Sequence, residues 1–497
     1  MNPNTKALKI NSKDNVAVLL ERVQKDDIII VGEQEIRVKE DIEQGQKIAI
    51  KDIKKDENII KYGFPIGHAT IDIFTGEHVH THNVATNLQG ILEYSYNPVK
   101  RRQENGMTGE FLGYVRKDGQ VGIRNEIWII NTVGCVNKTA EILSREANKK
   151  YEGIVDGVFS FPHPFGCSQL GDDHLNTQKI LADLVHHPNA AGVLVLGLGC
   201  ENNNILEFKK ILGDIDSNKV RFLSTQEVND EIEAGLELIE ELVDYAKSFT
   251  RQPCPISKLR VGLKCGGSDG FSGITANPLV GAFSDMLLQY GGTTILSEVP
   301  EMFGAEAILM DRCITQEVFD KTVNLINNFK EYFIRHNQVV YENPSPGNKK
   351  GGITTLEEKS LGCIQKGGSG PVVDVLHYGE RARVPGLNLL EGPGNDIVAA
   401  TALTATGAQL ILFTTGRGTP LGAPVPTIKI STNSELYSRK KNWIDFDAGV
   451  LLRGIPMNEL ASKLFEYVLK VASGEIRTRN EENGYREISI FKDGVVL

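Results

Sequence analysis

The sequence lacks any long hydrophobic run. Its longest apolar stretches, such as Val193–Leu198, are far too short to span a bilayer. The N-terminal segment MNPNTKALKINSKDN is polar and contains no apolar run, so we expect neither a signal peptide nor a membrane partner. The seven cysteines are odd in number and form no close CxxC pair. A disulfide framework is therefore not expected, and the cytoplasm is the predicted compartment.

The sequence also lacks an excess of basic residues. Its 54 Lys and Arg are outnumbered by 64 Asp and Glu, which gives a net charge of −10. Nucleic acid is therefore not an expected partner, because phosphate binding requires a basic surface. Two nucleotide-binding motifs are missing as well. The segment Gly134–Thr139 (GCVNKT) does not have the spacing of a P-loop, and no GxGxxG follows a strand.

The chain contains two successive kinds of hydrophobic pattern. Residues 1–98 show short strand candidates between glycine or charged turns, with one helix candidate at Ala17–Val23. From residue 111 onward, apolar strands alternate with helical segments, which predicts mainly parallel sheets covered on both faces. We therefore predict an α/β protein with a small N-terminal β domain and two α/β blocks. The predicted boundaries are 1–98 for the β domain, 99–110 for a linker, 111–249 for the first block, 250–258 for a second linker and 259–497 for the last block.

A cysteine stands beside glycine at the ends of four apolar strand candidates. These residues are Cys135, Cys167, Cys200 and Cys265. Ligands of α/β sheets bind beyond the carboxyl ends of the strands, so we predict that the four thiols hold iron. Either a single iron ion or an iron–sulfur cluster fits such ligands, and the alternative is that small cysteines merely pack well there. The other cysteines, Cys254, Cys313 and Cys363, are expected to be dispensable.

Three histidines recur at every second position in the segment Gly76–Asn83 (GEHVHTHN). On a strand, His78, His80 and His82 would lie on one face, an arrangement that suits metal binding by imidazole. In a loop that closes over a substrate, a histidine would serve as the general base. The alternative is a strand edge that faces solvent. We predict His80 and His82 as catalytic residues.

Glycine-rich loops in the last block predict an anion-binding site, because backbone amides in such turns form anion-binding nests. The alternative for each loop is a simple tight turn. Arg417, which offers a planar fork to a carboxylate, and Lys350 are predicted as catalytic groups. The predicted substrate-binding residues are Gly266, Gly267, Ser268, Asp269, Asn277, Asn343, Asn348, Lys349 and Thr415.

Longer motifs of the chain resemble the altronate and galactarate dehydratase family, to which a sulfolactate sulfo-lyase also belongs. They include GEHVHTHN, NTVGCVN, FGCSQLGDDH, GLGCENN, CGGSDGFSGITANP, EVPEMFGAE and ENPSPGNKKGG. The resemblance covers the whole chain, and HVHTHN and EVPEMFGAE look like the altronate branch. It implies an N-terminal domain of the SAF, or β-clip, type and a dependence on Fe²⁺ or Mn²⁺.

The resemblance implies a hydro-lyase that converts D-altronate to 2-keto-3-deoxy-D-gluconate and water. Such an enzyme removes the weakly acidic proton next to the carboxylate, stabilises the resulting aci-carboxylate and expels the neighbouring hydroxyl. Galactarate dehydratase or a related hydroxy-acid lyase is the alternative within enzymes. A carbohydrate-binding protein without turnover is the alternative outside them, and the cysteine, histidine and arginine of the candidate loops argue against it. The expected partner is a small sugar acid, and a homo-oligomer is left open.

Overall fold

The computed structural model describes residues 6–99 and 106–497. Its N-terminal part consists of short antiparallel strands. These are β1 (Ala7–Leu8), β2 (Val16–Leu19), β3 (Ile28–Val31), β4 (Gln34–Arg37), β5 (Lys47–Ala49), β6 (Asn58–Lys61), β7 (Phe64–Ala69), β8 (His78–Val79) and β9 (Val84–Ala85). They form a β1-β2-β5-β8 sheet, a β6-β7-β9 sheet and a β3-β4 hairpin. The predicted small β domain is confirmed.

The helix expected at Ala17–Val23 is wrong, because Val16–Leu19 forms strand β2 between β1 and β5. All four residues of β2 are buried. A strand that is buried on both faces is apolar at every position, so its sequence cannot be distinguished from a short buried helix by periodicity. The predicted linker 99–110 falls largely on residues 100–105, which lie outside the described residues.

The middle block contains a four-stranded parallel sheet in the order β13-β12-β14-β15. Its elements are β10 (Glu110–Val115), β11 (Val121–Gly122), β12 (Glu126–Asn131), α1 (Asn137–Tyr151), β13 (Val158–Ser160), α2 (Gly171–Val185), β14 (Ala190–Gly197), α3 (Ile205–Leu212), β15 (Val220–Ser224) and α4 (Glu231–Ala246). Helices α1 and α4 bury side chains in one apolar cluster with the sheet, and α2 and α3 in another. Both faces of the sheet are therefore covered, as the alternating pattern predicts.

The segment 250–258 contains a strand, β16 (Gln252–Pro255), that the sequence pattern did not indicate. It pairs antiparallel with β10 at the edge of the sheet β11-β10-β16. Prolines are tolerated on edge strands, where one side of the backbone makes no ladder hydrogen bonds. Pro253 and Pro255 made this strand look like an irregular connection.

The last block has a seven-stranded parallel sheet, in the order β19-β20-β18-β17-β21-β22-β23. Its strands are β17 (Arg260–Cys265), β18 (Thr293–Leu296), β19 (Val372–Leu376), β20 (Gly386–Leu390), β21 (Leu410–Thr415), β22 (Thr427–Ser431) and β23 (Phe446–Asp447). Its helices are α5 (Ala276–Gln289), α6 (Glu306–Met310), α7 (Gln316–Arg335), α8 (Pro346–Lys350), α9 (Leu356–Cys363), α10 (Asp396–Ala405), α11 (Ser434–Arg439), α12 (Met457–Ala472) and α13 (Arg479–Glu482). Helix α7, with 20 residues, is a long helix of this block.

The β domain packs directly against the last block. Val16, Ile59 and Ile66 of the β domain share one apolar cluster with Leu356 and Leu361 of α9. This contact brings the histidine segment of the β domain next to the loops that follow the seven-stranded sheet. Among the described residues, no helix is long and apolar enough to cross a membrane.

Candidate active site and metal centre

A cleft of about 750 Å³ opens beyond the carboxyl end of β17. Its lining includes Cys265–Gly267, directly after that strand, and the beginning of α10 at Asn395–Ile397. Ligands of parallel α/β sheets bind at this edge, and a helix N-terminus attracts negative charge. Further side chains come from the segment around α8 and from α9, namely Asn343, Ser345, Asn348, Lys349 and Lys359. The cleft is lined as well by the acidic Glu301, Glu342 and Asp396, and it therefore suits a small polar ligand.

Two thiols and one carboxylate meet at the inner end of the cleft. The Sγ atoms of Cys265 and Cys363 lie 3.4 Å apart. Oε2 of Glu301 lies 3.2 Å from the first sulfur and 2.9 Å from the second. All three residues are buried, and their ligand atoms lie within 4.8 Å of one another. Within the described residues, this is the group of cysteine, histidine and acidic side chains that has the geometry of a metal site.

Three buried lysines surround these donors, and each is paired with carboxylates. The ion pairs are Lys359–Glu301 at 2.8 Å, Lys366–Glu298 at 3.0 Å, Lys264–Asp396 at 2.8 Å, and Lys264–Glu298. Buried charges are tolerated when they are paired in this way. The positive charges of three lysines cancel the negative charges of three carboxylates, so the cluster is neutral as long as both thiols keep their protons.

The protonation of the donors follows from these neighbours. Burial alone would raise the pKa of Glu301, but the charges of Lys359, Lys264 and Lys366 hold it well below its usual range. The hydrogen bond with Cys265 and burial raise the pKa of the Cys363 thiol well above its usual range. Without a bound cation, Glu301 is therefore ionised and Cys363 is a neutral thiol.

This donor set fits a divalent iron ion. Thiols lose their protons when they bind a metal, and two thiolates would give the otherwise neutral cluster a charge of −2. A divalent cation restores neutrality inside a buried site. Thiolate donors favour iron, whereas manganese prefers oxygen and nitrogen ligands. Of the two ions that the family resemblance implies, Fe²⁺ matches these residues better.

The backbone of Glu298 adopts a left-handed conformation, with φ of 71°. This conformation is unusual for a residue other than glycine, and such strain persists only where the surroundings enforce it. Here the buried carboxylate accepts hydrogen bonds from Lys264, Lys366 and the backbone NH of Cys265, the last at 3.1 Å. Glu298 thereby holds the cysteine and the lysines in place.

The β domain adds a second buried charge cluster beside the first. Nζ of Lys47 and Nζ of Lys61 lie 2.9 and 2.7 Å from the Glu358 carboxylate of α9. Lys47 also donates to the carbonyl oxygen of Gly352 at 2.7 Å. Burial lowers the pKa of Lys47 to about 8, against the charge of Glu358. With two lysines to one carboxylate, this cluster attracts an anion.

The three histidines form a ring cluster rather than one face of a long strand. Strand β8 ends at Val79, and residues 80–83 turn, yet the His78 ring centroid lies 5.3 Å from that of His80 and 5.4 Å from that of His82. Oε1 of Gln46 lies 3.2 Å from Nε2 of His78, and the Gln46 amide donates to the carbonyl of Lys350. The histidine cluster therefore lies beside the loop that contains Lys349 and Lys350, and Lys349 lines the cleft.

His80 is the more enclosed of the two predicted catalytic histidines. Its Nδ1 atom is buried and has no hydrogen-bond partner within the described residues. Burial and the charge of Lys47 lower the pKa of His80 to about 4, although Glu358 and a hydrogen bond with the Lys349 backbone oppose them. The imidazole is neutral at pH 7 and is able to accept a proton. His82 is exposed at the surface.

The structure separates the predicted substrate-binding residues into two layers. Five line the cleft: Gly266, Gly267, Asn343, Asn348 and Lys349. The others, Ser268, Asp269, Asn277 and Thr415, are buried and do not line it. The Asp269 carboxylate accepts hydrogen bonds from Thr432 at 2.9 Å and from Ser272 at 3.1 Å. Its hydrogen-bonding capacity is used within the protein, so it shapes the loop instead of facing the cleft.

Asn277 and Thr415 are buried as well, and they also make their hydrogen bonds within the protein. The Asn277 side chain accepts a hydrogen bond from Thr414 at 2.6 Å and donates one to the Gly362 carbonyl at 3.0 Å. The Thr415 hydroxyl accepts one from the NH of Gly418 at 2.9 Å. The bonds of Asn277 join the end of β21 to helix α9, which carries Cys363, and the Thr415 bond closes the loop after β21.

Arg417 and Lys350 are both exposed. The backbone NH of Arg417 donates to the carbonyl of Gly267 at 3.0 Å, which places this residue at the rim of the cleft. Lys350 does not line the cleft, whereas its neighbour Lys349 does. The structure therefore favours Lys349 over Lys350 as the lysine that reaches a bound substrate.

The four predicted metal cysteines are not brought together. Cys265 groups with Cys363 and Glu301, whereas Cys135, Cys167 and Cys200 lie exposed on the middle block. The expectation that Cys363 is dispensable conflicts with its position, because its sulfur is a donor of the buried group. Glu301 was not among the predicted site residues, although it lies in the motif EVPEMFGAE.

The fold and the site define an α/β enzyme with a cleft at the carboxyl edge of its seven-stranded sheet, beside a candidate metal centre, and with a β domain that packs against helix α9. Three family models cover the chain in order. They are the altronate/galactarate dehydratase SAF domain at residues 5–87, the D-galactarate dehydratase/altronate hydrolase second domain at 113–247, and the D-galactarate/altronate dehydratase C-terminal domain at 256–496.

Whole-length relatives agree with these models. The chain is 53% identical to altronate dehydratase of Bacillus subtilis and 52% identical to altronate dehydratase of Escherichia coli, in each case over 99% of both chains. It is 34% identical to the L-threo-forming galactarate dehydratase of Escherichia coli, over 98% of this chain and 97% of that relative. The chain belongs to the altronate/galactarate dehydratase family and is a hydro-lyase.

Proposed function

We propose that this hydro-lyase dehydrates D-altronate to 2-keto-3-deoxy-D-gluconate. The observation that carries the proposal is the full-length identity of 53% to an altronate dehydratase, compared with 34% to a galactarate dehydratase. The cleft supports it, because its lysines and amide side chains suit a carboxylate that bears several hydroxyl groups. The galactarate reaction is the second candidate.

We propose that Cys265, Glu301 and Cys363 hold Fe²⁺. When bound, a divalent ion supplies Lewis-acid stabilisation of negative charge on the substrate. Lys359 keeps Glu301 ionised, and Glu298 fixes the backbone of Cys265. These contacts hold the donors in place before any ligand arrives, and such preorganisation improves affinity.

The substrate contacts are proposed from the lining of the cleft. Lys349 pairs with the carboxylate, and Arg417 at the rim offers a second, planar contact. Asn343 and Asn348 face the hydroxyl groups. The side chain of Asn348 is held by its bond to the Ser268 carbonyl at 2.8 Å. Together these groups would fix the carbon that loses its proton.

We propose His80 as the base that takes the proton next to the carboxylate. A base must be unprotonated at working pH and close to the proton it accepts. His80 meets the first requirement through its lowered pKa and packs against the Lys349 loop, which lines the cleft. The positive charges of Lys349 and Lys359 would stabilise the enolate-type anion that remains.

The test is a substrate panel under anaerobic conditions with Fe²⁺. D-altronate, galactarate and sulfolactate are compared by kcat/KM, with detection of the 2-keto product. We expect D-altronate to be preferred by a wide margin. An equal or reversed preference for galactarate would remove the altronate assignment and leave the hydro-lyase class in place.

We also propose the cytoplasm as the working compartment. All seven cysteines are free, and the proposed metal ligands include two thiols that must stay reduced. The expectation of a homo-oligomer stays a prediction.

A further inference from the structure

Three exposed cysteines lie at one edge of the middle sheet. Cys135, Cys167 and Cys200 follow β12, β13 and β14, which are direct neighbours in the order β13-β12-β14. The strands are parallel, so the three cysteines come after the same end of the sheet. They are exposed, whereas the other four cysteines of the chain are buried. The family comparison assigns no role to them.

The loops that carry these cysteines are bonded to one another beside each thiol. The contacts are Gly134 NH to the Phe165 carbonyl at 2.9 Å, Asn203 NH to the Gly166 carbonyl at 3.0 Å, and Ser168 NH to Oδ1 of Asn202 at 3.0 Å. In each of these hydrogen bonds, both residues lie within three sequence positions of the cysteine of their own loop. The three thiols are therefore gathered in one small region.

The region is built rigidly. A Cβ atom on Gly166 would lie 1.9 Å from the carbonyl oxygen of Thr132, so only glycine fits between the loops of Cys135 and Cys167. Ser168, directly after Cys167, has a left-handed φ of 59°. The buried Glu201 carboxylate accepts hydrogen bonds from the Thr132 hydroxyl at 2.6 Å and from the NH of Gly199 at 2.6 Å. Such support is typical of loops that hold ligand atoms in a fixed geometry.

Two of the sulfurs already accept polar hydrogens. Nε2 of Gln226 donates to Sγ of Cys200 at 3.6 Å, and the hydroxyl of Ser168 donates to Sγ of Cys167 at 3.8 Å. Hydrogen bonds to sulfur stabilise thiolates and tune the potentials of iron–sulfur clusters.

A single ion and a cluster require different distances between their sulfur ligands. Thiolates around one tetrahedral ion, with metal–sulfur bonds of about 2.3 Å, lie about 3.8 Å apart. Within the described residues, these three thiols do not form a group of ligand atoms within 4.8 Å, whereas the Cys265 group does. A four-iron, four-sulfur cluster places its thiolates on separate irons and therefore needs wider spacing.

We propose that Cys135, Cys167 and Cys200 bind a four-iron, four-sulfur cluster that leaves one iron without a protein sulfur. Binding is a ligand exchange: three iron–thiolate bonds form, three thiol protons leave to solvent, and no electron is gained or lost by the protein. The free iron is exposed at the sheet edge and takes an oxygen ligand from water or from a hydroxy acid. The site is separate from the Cys265 group, so it stands independently of the proposed function.

The test uses the full chain, purified anaerobically from cells supplied with iron. We expect a broad visible absorption band, about four acid-labile sulfides per chain, and about four irons per chain in addition to any iron held by the Cys265 group. Cys135→Ser, Cys167→Ser and Cys200→Ser should each lose most of the band and the sulfide. Cys254→Ser, at a buried cysteine of the β16 edge strand, is the matched control and should keep both.

Circular dichroism and thermal unfolding of each variant establish that the loss is not a loss of folding. A variant that fails to fold is replaced by the corresponding alanine variant, and the band is measured again. Protein that contains iron or zinc without sulfide would overturn the cluster, and so would a band that survives all three substitutions. A colourless chain after anaerobic reconstitution with iron and sulfide overturns the proposal as well.

Discussion

Two sheet edges of this molecule present cysteines in the same way, yet they differ in every other respect. After β17, Cys265 is buried and lies among paired lysines and carboxylates, and the β domain closes in from one side. After β12, β13 and β14, the cysteines face solvent on rigid loops. Cysteines at equivalent strand ends therefore lie in opposite surroundings, one buried among paired charges and three open to solvent.

The largest effect is expected at the buried edge. Glu301→Gln removes the negative charge that both thiols and Lys359 share. A lysine would then remain buried without its partner, and the proposed site would lose one ligand. We expect kcat/KM to fall by about 10³-fold, as for loss of a main electrostatic contact in an active site. Bound iron should fall by about one ion per chain, the ion proposed for the Cys265, Glu301 and Cys363 group.

The matched control for this change is Glu342→Gln, in an exposed acidic residue that lines the same cleft. It should retain both iron and activity within about threefold. Full activity and full iron content in Glu301→Gln would show that the buried edge is not the metal centre. The visible band proposed for the exposed edge should be unchanged in Glu301→Gln.

The next effect concerns the β domain that covers the buried edge. His80→Ala should lower kcat by about 10²–10⁴-fold, the range for loss of a general base, whereas His82→Ala, at the exposed ring, should act less. The pH profile gives an independent readout. Because burial depresses the pKa of His80 to about 4, the base is neutral above that pH. The acidic limb of kcat/KM should therefore lie near pH 4 and vanish in His80→Ala.

This prediction departs from the expectation that both histidines are equally essential. If His82→Ala is as inactive as His80→Ala, the assignment of the base to His80 alone is wrong. Unchanged kinetics in both variants would return the histidine segment to a packing role.

A third effect concerns the stability of the contact between the β domain and helix α9. Glu358→Gln leaves Lys47 and Lys61 buried without their carboxylate. Breaking a buried ion pair on one side costs about 3–5 kcal/mol, so the free energy of unfolding in urea should fall by that amount. Glu141→Gln, which breaks the exposed pair with Lys138, should change it by less than about 1 kcal/mol. Equal effects in the two variants would mean that the cluster at Glu358 does not secure the β domain.

The smallest effect is expected at the rim. Arg417→Lys keeps the charge but loses the planar fork that pairs with a carboxylate. We expect kcat/KM for D-altronate to fall about tenfold, which corresponds to about 1.4 kcal/mol. Wild-type kinetics would place Arg417 outside the substrate site and leave Lys349 as the carboxylate contact.

Much of the architecture was predictable because it depends on local patterns. Alternating apolar strands and helices predicted parallel sheets, and the seven-stranded and four-stranded sheets confirm this. Strand β2 was mistaken for a helix, since a fully buried strand has no alternation. Strand β16 was missed because its prolines are tolerated only at a sheet edge, and pairing partners are not visible in the sequence.

The candidate site was predictable in part. The glycine loop after Cys265, the asparagines around α8 and Lys349 do line the cleft, since motifs of this kind follow strand ends. Asp269 and Asn277 belong to the same motifs but point into hydrogen bonds within the protein. A polar residue in a glycine-rich loop has the same sequence signature whether it faces a ligand or the interior.

The sequence by itself determined the class of fold, the family and the positions of the cysteines at strand ends, because periodicity and motifs are properties of neighbouring residues. That Cys265 meets Cys363, 98 positions further along the chain, and does not meet Cys135, Cys167 or Cys200, depends on the tertiary structure alone. Burial and charge pairing arise when distant segments pack together. That packing placed Glu301 and Lys359 around the thiols and left Cys135, Cys167 and Cys200 open to solvent.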